Sequence, residues 1–149
     1  MNFLRRFSNC NNKLNQVDEK NLKLFVPKIK DCKVVSVYDG DTITVVAYLK
    51  GDPECYKFKV RLSGIDSPEM KGSSETEKKH AIESRDALSS QILHQIVKLD
   101  IKGTEKYGRI LADVIYNGEN MNDWMIKNGY AVKYSGGTKI RPEKWDQEL

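Results

Sequence analysis

The chain is short of the residues that most often announce a metal or redox centre. It has three cysteines, Cys10, Cys32 and Cys55, and two histidines, His80 and His94. No two cysteines fall in a C-x-x-C spacing and neither histidine is near them in sequence, so a zinc site is not expected. Three scattered thiols fit a reducing compartment better than an oxidising one. No apolar run approaches the roughly 20 residues that a membrane-spanning helix needs. Arg5 and Arg6 are not followed by the apolar stretch of a secretory leader, which leads us to expect an intracellular, cytoplasmic protein, with organelle targeting as the alternative. Charge of one sign is also lacking. The net charge is +4 from 25 basic and 21 acidic residues. Three of those four charges fall within residues 1–16, so bulk charge carries no nucleic-acid preference and only a local cluster could.

What remains is an ordinary soluble composition, 39% hydrophobic and 31% charged, in 149 residues. That length suits one domain with a real core. Residues 1–19 are polar and lack an apolar period, which predicts a flexible extension ahead of a domain over 20–149. Leu22, Leu24 and Val26 alternate with polar residues as far as Pro27, and Val35 and Val37 alternate again, predicting a strand up to Tyr38. Asp39-Gly40-Asp41 reads as a hairpin turn, on the strength of the favoured Asp-Gly pair. Strands are expected at Thr42–Leu49 and Tyr56–Leu62, then a helix from about Lys78 to Val97 on Ala81, Leu88, Ile92, Leu93 and Ile96. A short strand near Lys98–Ile101, another at Arg109–Tyr116, an Asn117-Gly118 turn and a helix at Met121–Asn128 follow. Trp124 and Met125 are that helix's expected core contacts, with Gly129 as its C-cap. Five strands with a helix between the third and fourth is the order of an OB-fold barrel, so the fold class is α+β, mainly β, with two to three helices.

Four segments carry the chemistry: Asp39–Thr42, Arg61, Asp66–Glu69 and Lys106–Arg109. Each alone has a bland explanation, Arg61 for instance sharing a strand face with Lys57 and Lys59. Together they suggest more. Asp41 opens one strand and Asp66 follows the end of its neighbour, so both could meet at one rim of the barrel. Two carboxylates brought together repel unless a proton or a cation intervenes. Without histidine or cysteine nearby, a hard ion such as Ca²⁺ suits them best. Arginines offer planar bidentate donors for a phosphate, and a further carboxylate, Glu69, could orient or deprotonate water. These are the parts that phosphodiester hydrolysis needs.

The runs Val37-Tyr38-Asp39-Gly40-Asp41-Thr42-Ile43, Arg61-Leu62-Ser63-Gly64-Ile65-Asp66-Ser67-Pro68-Glu69 and Lys106-Tyr107-Gly108-Arg109 resemble the staphylococcal nuclease, or thermonuclease-like, family over roughly residues 33–134. The resemblance implies a calcium-dependent, sugar-nonspecific endonuclease acting on unpaired or breathing DNA and RNA, by attack of water at phosphorus. The ends left would be 3′-phosphate and 5′-hydroxyl. It implies Asp41 and Asp66 as calcium carboxylates, with the Ser67 carbonyl added, and Arg61 and Arg109 as the phosphate-gripping pair. Glu69 becomes the general base or water-positioning carboxylate. Lys106 and Tyr107 would contact a neighbouring phosphate, and Tyr134 would pack on a base. Asp39 is expected to act as a turn residue with at most an indirect role. A monomer with no membrane association is expected. The alternative is a non-catalytic barrel that binds nucleic acid or protein, a class that typically loses one or more of these residues. Family members continue past the barrel into a long helix, for which Pro142 and Trp145 are expected to anchor a stub.

Overall fold

The computed structural model describes residues 11–72 and 74–147. The expected extension therefore lies largely outside the described residues. Of its remainder, residues 11–14 are helical and Glu19–Asn21 form a 3-10 turn capped by the Asp18 side chain.

Alternating apolar residues generate the strands as expected. β1 (Asp31–Asp39), β2 (Thr42–Tyr48) and β3 (Cys55–Leu62) form an antiparallel meander. After the two-residue β4 (Ile65–Asp66) and helix α1 (Glu75–Ile92) come β5 (Ile96–Thr104) and β6 (Ile110–Tyr116). β5 pairs with both β1 and β6, and β6 closes the sheet by pairing in parallel with β3 at Val60–Leu62. The result is a closed five-stranded barrel of the OB type, mainly β. β7 (Glu119–Asn120) adds a short edge after a turn in which Asn117 and Gly118 both take positive φ. Helix α2 (Met121–Lys127) and β8 (Val132–Lys133) complete the elements, β8 pairing with β4.

Three boundaries differ from expectation, each for a physical reason. Residues 22–26 form no strand: Leu22, Leu24 and Phe25 are exposed, and only Pro27 and Ile29 turn inward. α1 stops at Ile92 instead of Val97, because His94 takes φ 64° and donates its backbone N–H to Val34 O at 2.9 Å. The chain is thereby turned into β5, and Ile96 faces solvent. At the other end Ser74 accepts from Glu77 N–H, placing the helix start at Glu75, three residues ahead of the expected Lys78. Trp124 and Met125 of α2 are core contacts as expected, Trp124 half-buried against the core and Met125 fully buried beside Met121.

The barrel core gathers Ile43, Val45, Val60, Leu62, Val97, Ile110 and Val114, with Leu88 and Ile92 of α1 packed over one opening. Truncating Leu88 to alanine would cost about 2–5 kcal/mol. Buried Asn122 couples α2 to the site: its Nδ2 donates to Ser63 O (2.8 Å) and Ala112 O (3.2 Å), and its Oδ1 accepts from Val114 N–H. This anchors the turn that leads into Asp66. Past β8, Glu143–Asp146 form a single 3-10 turn that packs on α1 through buried Trp145. Among the described residues no helix is long and apolar enough to cross a membrane.

Candidate active site

Register shifts in β1 bear on which residues reach the site. Cys32 and Val34 point inward, but the register shifts between Val34 and Ser36 and again between Val37 and Asp39, and Val37 and Asp39 are the half-buried residues of this stretch. Asp39 then lines the same 310 Å³ cleft as Asp41, Arg61, Glu69 and Arg109. The turn that follows is tight for want of space. Gly40 does not have positive φ, but a Cβ there would lie 2.0 Å from Ser84 Oγ and 2.8 Å from Ser67 Cβ. The glycine expected from turn chemistry is needed because α1 and the Ser67 segment press on the turn.

Arg61 is the centre of the site and is buried, 7% exposed, not part of a solvated face. Its Nη1 pairs with Asp41 Oδ1, and its Nη2 lies 3.3 Å from Asp66 Oδ1 and 3.1 Å from Ile65 O. Its Nε is 3.6 Å from Glu105 Oε2. Burial opposes its charge, but Asp41, Asp66 and Glu105 outweigh that and hold the guanidinium firmly protonated. Asp41 is tied further by the Thr42 hydroxyl (2.9 Å) and by Ser67 N–H on Oδ2 (3.1 Å). Asp39 accepts from Asp41 N–H at 3.1 Å. Burial, then the Asp41 charge, push the Asp39 carboxyl up to about 7.

Arg109 is half-buried, and its Nε makes an ion contact with Glu105 Oε1 that lacks hydrogen-bond alignment. One carboxylate therefore stands between two guanidiniums, where a phosphate would be held in the same way. Glu69 is exposed, and Lys139 Nζ bridges it (3.0 Å) to Asp66 Oδ1 (2.7 Å). Lys139 is steadied by its neighbour Arg141, which pairs with Glu77 on α1 and with Asp146. Lys106 and Tyr107 stand in solvent on the 3-10 turn Lys106–Gly108. Tyr134 follows β8, donates its hydroxyl to Gly137 O, and sets its ring 6.0 Å from the Arg61 guanidinium carbon.

All nine expected residues thus border one region, Asp66 and Ser67 from beneath. Two further residues join the site. Glu105 precedes Arg109 by four and is readable from its place beside Lys106, whereas Lys139 carries no local signal at all. Asp39 is the turn residue the sequence suggests, accepting from Asp41 N–H, and it also lines the cleft.

The donor set is all oxygen, which suits a hard cation. Ser67 Oγ is buried without a hydrogen-bond partner, and Asp39 faces Asp41 with its proton affinity raised. Both observations fit a cation held at Asp41, Asp66 and the Ser67 carbonyl. Among the described residues no three His, Cys, Asp or Glu side chains close around an ion by themselves, so water or substrate oxygens would complete the coordination.

A barrel of this topology defines an OB-fold, with carboxylates and two arginines gathered at its rim. Residues 59–149 match the model of the staphylococcal nuclease homologue family, and the chain belongs to that family. It is 39% identical over 103 residues to a protein of Haemophilus influenzae described as an uncharacterized endonuclease, covering 69% of this chain and 52% of that one. It is 35% identical over 94 residues to a staphylococcal-like nuclease of Arabidopsis thaliana, covering 62% of this chain and 27% of that one. A probable endonuclease of Schizosaccharomyces pombe is 31% identical over 88 residues, or 54% and 38% of the two chains. The chain spans about half or less of these relatives.

Proposed function

We propose that this protein is a calcium-dependent endonuclease that hydrolyses phosphodiester bonds in DNA and RNA. The observation that carries the reading is the convergence of Arg61 and Arg109 on one carboxylate beside the buried Asp41–Asp66 pair. A substrate phosphate takes the place of the Glu105 carboxylate between the two guanidiniums, and Arg61 exchanges carboxylate partners for phosphate oxygens. Both arginines then offset the charge that builds on the phosphoryl oxygens. Asp41, Asp66 and the Ser67 carbonyl would hold the Ca²⁺, which would supply Lewis-acid polarisation of the phosphate. Glu69, exposed at the cleft mouth, orients water or takes its proton. The water oxygen bonds to phosphorus, the bond to the 5′ oxygen breaks, and that oxygen takes a proton from solvent. The products are 3′-phosphate and 5′-hydroxyl ends. Lys106 and Tyr107 hold an adjoining phosphate, and Tyr134 packs on a base.

The test is incubation of the purified chain with single-stranded DNA or RNA, with Ca²⁺ or with excess chelator. Degradation in Ca²⁺ alone is expected. Degradation that persists in chelator sinks the calcium mechanism, and none with any divalent ion favours a binding barrel. The pH–rate profile of Glu69→Gln separates the two duties of Glu69, since loss of the acidic limb marks it as the base.

A further inference from the structure

β3 and β6 pair only at Val60–Leu62, so the first half of β3 runs free of the loop that precedes β6. The opening is a groove of about 690 Å³ lined by Leu24, Phe25, Pro27, Phe58, Lys106 and Tyr107, among others. Three of these side chains are left to solvent: Leu24 is 83%, Phe25 76% and Tyr107 93% exposed. Large apolar side chains gathered in one exposed place mark a binding surface more often than chance. Tyr107 is not merely loose. Its backbone sits at φ 68°, a conformation that non-glycine residues rarely adopt. Glu105 N–H to Arg109 O (2.9 Å) closes the turn that keeps the ring outward.

The groove is continuous with the active site. A second cleft of about 600 Å³, bordered by Arg61, Arg109 and Tyr134, shares Glu105, Lys106 and Tyr107 with it. Lys106 lines both. Exposed rings beside an ammonium group suit one class of ligand. Unpaired nucleobases stack on aromatic faces while their phosphates meet lysines. A duplex hides those base faces. Leu24, Phe25, Pro27 and Phe58 all precede residue 59, where the match to the family begins.

We infer that this groove binds unpaired nucleobases of the strand that flanks the cleaved phosphodiester, extending the site beyond the residues that touch the bond. The inference rests on the nuclease reading only for its position along the strand, and binding can be measured without cleavage. The full chain and the variant Leu24→Ser/Phe25→Ser are titrated in chelator against a fluorescein-labelled oligothymidylate of about 12 nucleotides, within the range of site sizes for such folds. Anisotropy is expected to show binding about tenfold weaker in the variant, the scale of one lost base stack. Restoring a ring with Phe25→Trp, alone, should keep native affinity. Both substituted side chains are exposed, and circular dichroism checks that the fold is kept.

Equal affinity of the native and doubly substituted chains overturns the inference, whether or not the protein cleaves. A dimer that the double substitution dissociates, with oligonucleotide affinity unchanged, also overturns it, assigning the groove to a second copy. Weakened binding by a chain that cleaves nothing upholds the groove and rejects the nuclease reading.

Discussion

Asp41, Arg61 and Asp66 are buried in one ion network, whereas Glu69, Lys106, Tyr107 and Lys139, which border the same clefts, stand largely in solvent. The two halves obey different energetics. In the buried half each charge is compensated by another at fixed geometry, and removing one leaves its partners stranded in low dielectric. In the open half water screens each group, so single losses are mild for the fold and fall on ligand affinity. On the proposed reading the buried half holds the reacting phosphate and the open half sorts substrates.

The sharpest way to break this contrast is Arg61→Ala. It strands Asp41 and Asp66 together and should lower stability by about 3–5 kcal/mol, measured by urea unfolding, besides abolishing cleavage. Part of that stability should return on adding Ca²⁺, which neutralises the same carboxylates. A variant as stable as the native chain would show that the network is not strongly coupled. Arg109→Ala probes the boundary between the halves. Cleavage should fall at least about a hundredfold, while stability changes by less than about 1 kcal/mol. Near-normal turnover would contradict the role given to this arginine.

Lys139→Met tests the open half. Lys139 places an ammonium on Asp66 and Glu69, where it would compete with the proposed cation. Its removal should tighten Ca²⁺ binding severalfold by calorimetry, with the melting temperature of the calcium-free protein little changed. Weaker Ca²⁺ binding would make Lys139 a support of the site instead. The smallest effect concerns the thiols. Burial, then Asp31, push the Cys32 thiol up to about 12, whereas Cys55 is exposed. A maleimide should label Cys55 in the native protein and reach Cys32 only after unfolding; rapid labelling of Cys32 would show that the barrel opens locally.

The strand meander and both helices were legible because their apolar residues recur at periods that each element must show to bury one side. Residues 22–26 show where periodicity misleads: Leu22 and Leu24 alternate as a strand would, yet no partner strand is there for them. The end of α1 is not legible in the sequence because Ile96 continues the helical spacing, while His94 turns the chain toward β5.

At the site, the order and spacing of Asp41, Arg61, Asp66, Glu69 and Arg109 are plain in the chain. They reach one rim because Asp41 adjoins β2, Arg61 lies near the end of β3 with Asp66 and Glu69 close behind it, and Arg109 immediately precedes β6, which pairs with β3. Sequence alone also pointed to an oxygen-only donor set, since no histidine or cysteine accompanies those carboxylates. Only the tertiary structure decided that Arg61 is buried between Asp41 and Asp66, that Asp39 lines the cleft, and that Gly40 is required by Ser84 across the turn. It alone brought Glu105 between the arginines and Lys139 onto Asp66. Those contacts join residues up to 73 positions apart, as from Asp66 to Lys139. No local period records such pairs. They exist because barrel closure and the docking of the 135–146 segment on α1 bring distant charges into one low-dielectric volume, where each must find a partner.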